Sequence, residues 1–200
     1  MLEEHIIAYC SPTLASLKSG SLFSCKCSCH EDIDGCISAW NESFKPRGIS
    51  LHLLRRTESA ALIYMCRDSA MKNILSDPCV QLFLNDFGYE NCYGCDGCSS
   101  CCCSLDECLR HLQTRLTDER KSENMSFPHE IGIFLGYPLA DVSGFIENEG
   151  RNCKLIGPWK VYGDVTSAER AFAKFEKCTS IYTKLWSSGE RSIMDLTVAC

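Results

Sequence analysis

The stretch that decides the fold is IDGCISAWNESFKPRGISLHLLRRTESAALIYMC, residues 33–66. Ile33, Cys36, Ile37, Trp40 and Phe44 fall at i, i+3, i+4, i+7 and i+11, the spacing of one face of an amphipathic helix. Lys45-Pro46-Arg47-Gly48 then turns the chain. Ile49, Leu51 and Leu53 alternate with Ser50 and His52, and a second apolar run from Ala60 to Cys66 follows Thr57-Glu58-Ser59, so the spacing predicts a β-hairpin. A helix feeding an antiparallel hairpin, with no βαβ alternation around it, points to an α+β fold.

Upstream, Leu22-Phe23-Ser24 reads as a further strand. Ser11-Pro12 reads as a cap and first helical turn, with Leu14 and Leu17 on one face and Gly20 as the stop; Cys10 then sits just before a helix start. Downstream, Asp77-Pro78 is a second cap-plus-proline signal, with Val80, Leu84 and Phe87 on one face and Gly88 as the stop. Ser104 and Glu107 form a capping box before a stripe of Leu105, Leu109, Leu112 and Leu116. Polar residues 117–126 read as a surface linker. Phe127 to Pro138 reads as helical turns restarted at each proline, and Trp159 and Val161 as a strand. Thr166 and Glu169 read as another capping box, opening the longest helix along Ala168, Phe172, Phe175, Tyr182 and Leu185. The expectation is a single helix-dominated domain over residues 1–200, around a small, mostly antiparallel sheet of about four strands, with a cysteine-rich insertion at 89–103.

The chain has 200 residues, 45% hydrophobic and 23% charged, a globular composition that excludes disordered and fibrous classes. A formal charge of -6 disfavours nucleic acid as a partner. No stretch approaches a membrane span, and Met1-Leu2-Glu3-Glu4-His5 lacks the basic start of a signal peptide, so a cytoplasmic location without membrane partners is expected. There is no dinucleotide fingerprint, P-loop, H-E-x-x-H or G-x-S-x-G, so those enzyme classes lack their usual handles.

Cysteine is the outlier, at 17 residues. Where thiols are kept reduced, a dense set reads first as metal ligands or redox groups. Cys92, Cys95, Cys98 and Cys102 have the C-x2-C-x2-C-x3-C spacing by which ferredoxins hold iron–sulfur clusters, and Gly94 and Gly97 let the loop turn its sulfurs inward. The proline that normally follows the fourth cysteine is replaced by Cys103, and no second complete motif exists. Cys101, Cys103, Cys25, Cys27 and Cys29 are alternate ligands, the last trio followed by His30. An iron–sulfur cluster is the leading expectation, with zinc or no fixed metal as alternatives and a redox or metal-handling protein as partner.

Outside the cluster, Cys10 reads as a nucleophile or ligand if a helix start lowers its pKa, or as a half-buried core thiol. His129 could act as base or ligand with Glu130 orienting it, or as a satisfied core histidine. Lys18 could support an anion, or stand solvated. His5, His52 and His111 show no ligand spacing. Trp159, Tyr162 and Trp186 read as core aromatics.

The blocks Cys10 to Ala15, Gly20 to Ser24, Phe127 to Pro138, Gly144 to Asn148 and Trp159 to Gly163 resemble an uncharacterised bacterial domain family found chiefly in anaerobic Gram-positive species. The resemblance spans nearly the whole chain and implies a cytosolic bacterial protein. A site shared across such a family would involve Cys10, Lys18, His129, Glu130 and Lys160, with Lys18 or Lys160 holding an anionic substrate. Tyr9 stands where the family pattern often has histidine before the cysteine. The 92–103 cluster and the 25, 27, 29 trio look like additions to the family scaffold. Alternatives to a metal protein are a thiol-dependent enzyme using Cys10 and a cofactor-free interaction module.

Overall fold

The computed structural model describes residues 2–26, 32–89, 105–117 and 127–199. At its centre lies a three-stranded antiparallel sheet in the order β1 (Gly20–Lys26), β3 (Ala60–Arg67), β2 (Ile49–Arg56). The register pairs Gly20 with Cys66 and Lys26 with Ala60 on one side of β3, and Ile49 with Arg67 on the other. β3 takes the middle because its apolar run is continuous and can be covered on both faces. Ala61, Ile63 and Met65 point to one cluster of buried residues, and Tyr64 and Cys66 to a second. In β2 alternation turns Ile49, Leu51 and Leu53 to the first cluster and Leu54 to the second, and a register shift between Leu53 and Arg55 marks a bulge.

Helices cover both faces. On the first lie α1 (Leu2–Leu14), α2 (Ile33–Phe44) and part of α8 (Val165–Ser187), through Ile6, Ile7, Cys10, Leu14, Ile37 and Phe44, with Tyr182 and Trp186 at the margin. On the second lie α3 (Asp68–Leu75), α4 (Pro78–Asn85), α5 (Leu105–Thr117), α6 (Ile131–Phe134) and α7 (Leu139–Glu147). A two-stranded sheet of β4 (Leu155–Ile156) and β5 (Lys160–Val161) follows α7. The α+β, helix-dominated reading therefore holds, with three strands in one sheet and two in another. No helix among the described residues is long and apolar enough to cross a membrane.

Most elements start where their residues say. Asp32 accepts from the Gly35 amide and caps α2, and Asp77 accepts from Cys79 and Val80 at the start of α4. Asn41 exchanges two hydrogen bonds with the backbone of Leu51, tying α2 to β2. Residues 90–104 and 118–126 lie outside the described residues; they include all of the predicted 89–103 cysteine-rich insertion except Tyr89, and most of the predicted linker.

Two boundaries differ from expectation. Helix α1 occupies residues 2–14, with Pro12 inside its last turn rather than at its first. Ser11 Oγ turns back to the Ile7 carbonyl at 2.5 Å instead of capping forward. The true stripe is Ile6, Ile7, Cys10 and Leu14, and Glu3 and Glu4 sit in the first turn where the helix dipole favours acids. At α8 the cap is Asp164, accepting from Ser167 N and Oγ, two residues before the expected Thr166.

Two glycines place the segment that follows. A Cβ on Gly20 would stand 2.4 Å from the Phe134 carbonyl oxygen, which accepts from Tyr64 Oη at 2.6 Å. Gly136 has φ +71°, and a Cβ there would meet Ser19 Oγ at 2.1 Å. The end of α6 is thereby fixed against the start of β1.

Candidate functional site

Pro128 and Pro138 bracket α6, so the chain makes one short helix, leaves it through Gly136, and restarts as α7. α7 meets β5 closely because Gly144 has no side chain; a Cβ would lie 2.6 Å from Tyr162 Cβ. Between α6, α7 and the β4–β5 hairpin lies a pocket of about 340 Å³. Ile131, Gly132 and Val142 supply its apolar floor, and Tyr137, Phe145 and Trp159 its aromatic walls.

Asp141 holds this arrangement. It is 3% exposed, and its Oδ2 accepts from Trp159 Nε1 at 2.7 Å while Oδ1 accepts from the amides of Tyr162 and Gly163 at 2.8 and 2.7 Å. Three N–H donors satisfy a buried carboxylate and fix the hairpin on α7. Trp159, so oriented, stacks on Tyr137 with ring centroids 4.8 Å apart and meets Phe172 of α8 edge-on at 4.5 Å.

Two polar side chains gather on Phe145. His129 stands edge-on to that ring at 4.8 Å. Partial burial lowers its pKa, opposed by the nearby Glu130 carboxylate. Lys160 Nζ lies 5.7 Å from the same ring and donates to the Gly150 carbonyl at 2.7 Å. Both residues line the pocket.

Of the residues expected to act together, the structure sets His129 and Lys160 against one ring and Lys18 near Cys10, and it separates Cys10 and Glu130 from His129. Glu130 does not orient His129 by a hydrogen bond. It is fully buried, pairing with Arg115 of α5 through Oε1, while Oε2 has no hydrogen-bond partner among the described residues. The expected His–Glu pair is split because neighbouring residues at the start of a helix point in different directions.

Cys10 lies in the other cluster, across the sheet from His129's pocket. It is in the last turn of α1, not before a helix start, so the expected dipole effect on it is reversed. Burial pushes its thiol up to about 12, against smaller lowering influences from Lys18 and Ser21. Lys18 is itself lowered to about 8 by burial, with Cys10 opposing, and its Nζ lies over the Tyr137 ring at 5.3 Å. A Cys10–His129 dyad is therefore not assembled. Native protein treated with iodoacetamide at neutral pH should modify the exposed Cys36 and Cys79 while the buried Cys10 and Cys66 stay unmodified until denaturant is added. Apart from access, a pKa of about 12 instead of 9.0 leaves about a thousandfold less thiolate at Cys10. Peptide mass spectrometry reads the outcome, and fast native modification of Cys10 would contradict its placement.

Cys92, Cys95, Cys98, Cys101, Cys102 and Cys103, with Cys27 and Cys29, lie outside the described residues. Cys25 belongs to the same cluster as Cys10, donating to the Ala61 carbonyl at 3.8 Å. Tyr89 and Leu105, which flank the 90–104 segment, belong to the opposite cluster. Among the described residues no group of three or more His, Cys, Asp or Glu is placed to hold a metal.

Sequence reasoning missed Asp141, Tyr137 and Phe145, and took Trp159 as core. Asp141 reads from sequence as an ordinary first-turn acid. Its partners arrive about twenty residues later from a hairpin too short for a periodic signal.

The chain matches the family described as Protein of unknown function (DUF3793) over residues 6–197, and it belongs to that family. No curated protein and no solved structure matches it.

Proposed function

We propose that this member of the family is a small-molecule-binding protein whose ligand occupies the pocket between α6, α7 and the β4–β5 hairpin. One observation carries the reading. Three separate sequence blocks, around residues 127–138, 144–148 and 159–163, meet at one concave, largely apolar surface that also carries the side chains of His129 and Lys160. Concave apolar sites with a few placed polar groups are where small ligands bind, and about 340 Å³ lies within the usual range. Methyl NMR of Ile131 and Val142 during titration with a library of aromatic and branched-chain fragments tests it. Shifts confined to those methyls, and lost in Trp159→Ala, are expected; a library that moves neither methyl overturns the reading.

A second reading rests on the seven thiols from Cys92 to Cys108. The segment 90–104 is proposed to bind an iron–sulfur cluster, or zinc, in a reducing cytosolic setting, with Cys92, Cys95, Cys98 and Cys102 as ligands and a redox or metal-handling protein as partner. Its support is the two-residue spacing and the softness of thiolate donors. Cys108 is excluded from the set because α5 buries it with Leu105, Leu109 and Leu112. Iron, zinc and sulfide analysis of protein purified without oxygen should find metal that falls away when those four cysteines become serine. Metal-free anaerobic protein, or metal unchanged in the variants, removes this reading.

A further inference from the structure

Resting on the pocket reading above, we infer that the ligand is a monocarboxylate with a flat apolar body, its carboxylate set between Lys160 and His129. The charges in the pocket decide the sign. The one carboxylate among the lining residues, Asp141, is spent on three N–H donors and offers nothing to a cationic ligand. Lys160 is the one cationic lysine or arginine among the lining residues. Its ammonium has three protons, of which the Gly150 carbonyl takes one, and it forms no ion pair among the described residues.

His129 also lines the pocket and packs against the same Phe145 ring. Burial favours its neutral imidazole, which brings one N–H donor. One ammonium plus one neutral donor matches the single charge and two oxygens of a carboxylate. A phosphate dianion draws on arginine forks or clustered backbone amides, and no arginine lines this pocket.

The walls decide the body. Trp159 and Tyr137 are held in a near-parallel stack, with ring planes 26° apart, and Val142 and Ile131 close the floor. Rigid aromatic faces whose indole N–H is already committed to Asp141 favour flat, apolar surface over hydroxylated surface.

Calorimetric titration with 2-naphthoate, 2-naphthamide and 2-naphthyl phosphate, alongside the Ile131 and Val142 methyl shifts, tests the assignment. Wild-type protein is expected to bind the carboxylate about tenfold more tightly than the amide, the value of one charge-assisted hydrogen bond. Lys160→Met should erase that preference by weakening carboxylate binding far more than amide binding, and Lys160→Arg should keep it. Because Lys160→Met also loses the bond to Gly150, its thermal unfolding is compared with that of wild type. Equal binding of amide and carboxylate, or tighter binding of the phosphate, overturns the monocarboxylate while the pocket reading stands. No binding of any probe and no methyl shift overturns both.

Discussion

Replacing Arg67 with methionine is expected to destabilise the protein by roughly 3–5 kcal/mol, the loss of three charge-assisted hydrogen bonds to backbone carbonyls. Arg67 is 1% exposed at the end of β3. Its Nε donates to the Thr13 carbonyl at 2.7 Å, and one Nη donates to the carbonyls of Leu14 at 2.7 Å and Val198 at 2.8 Å. The last carbonyls of a helix have no partner inside it. In α1 each finds one outside. Ser11 accepts from Ala15, Pro12 from Leu17 and Lys18, Thr13 from Ser16 and Arg67, and Leu14 from Arg67 and the Val198 amide. The guanidinium thus closes the C-terminus of α1, where the dipole favours a cation, and ties the chain's last described residues to the sheet. Methionine fills much of the same volume but donates nothing, which separates the hydrogen bonds from the packing. For a urea slope of about 2 kcal/mol per molar, the midpoint should fall by about 1.5–2.5 M with the slope unchanged. Arg67→Lys should recover only part of the loss, since one ammonium cannot span three carbonyls as the planar fork does. A shift below about 0.5 M in the methionine variant would mean that water replaces the fork at little cost.

Arg67 also shows where the sequence was mute. Helix α2, the hairpin, β1 and the proline-capped α4 were all legible, because each rests on local signals: a 3.6 or 2.0 period, a cap, a turn glycine. The first helix was misread for an equally local reason. Ser-Pro is a good start signal, but the apolar positions that bury α1 lie before it, and Pro12 is tolerated because the helix ends two residues later. Helix α3 buries only Met71 and Leu75 and follows Arg67 with no glycine or proline between, so nothing local announces it. At the site, His129 stands out as a polar residue within an apolar segment and Lys160 through the family resemblance, and the structure places both against one phenylalanine. Glu130, read as the partner of His129, and Cys10, read as lying before a helix start, are interior groups, one paired with Arg115 and the other buried across the sheet. Whether a polar side chain faces a pocket or the core depends on elements far away in the chain. A single sequence carries no period for that.

Asp141→Asn is expected to collapse the pocket wall. An amide keeps the shape of the carboxylate but replaces one oxygen with an NH2 group. If the remaining oxygen faces Tyr162 and Gly163, the NH2 confronts the Trp159 indole N–H; if it faces the indole, the NH2 confronts two backbone amides. Either orientation sets donor against donor in a site 3% exposed, at a cost of about 2–4 kcal/mol. That cost can be met locally. The hairpin holds only the pairs Leu155–Val161 and Ile156–Lys160, so it can lift from α7 without unfolding the sheet. The amides of Tyr162 and Gly163 should therefore exchange at least about thirtyfold faster in the variant, the rate counterpart of about 2 kcal/mol. The urea midpoint should fall by less than the exchange data imply, and the Trp159 indole resonance should broaden or move as it leaves Tyr137. Ligand binding should weaken in parallel although Asp141 is not proposed to touch the ligand's carboxylate, whereas Lys160→Met should change the preference among ligands and speed hairpin exchange far less than Asp141→Asn does. Unchanged exchange at Tyr162 and Gly163 would show that packing of Trp159 between Tyr137 and Phe172, rather than the carboxylate, sets the wall. The pocket's shape would then belong to the aromatic contacts with α8, and Phe172→Ala, not Asp141→Asn, would open it.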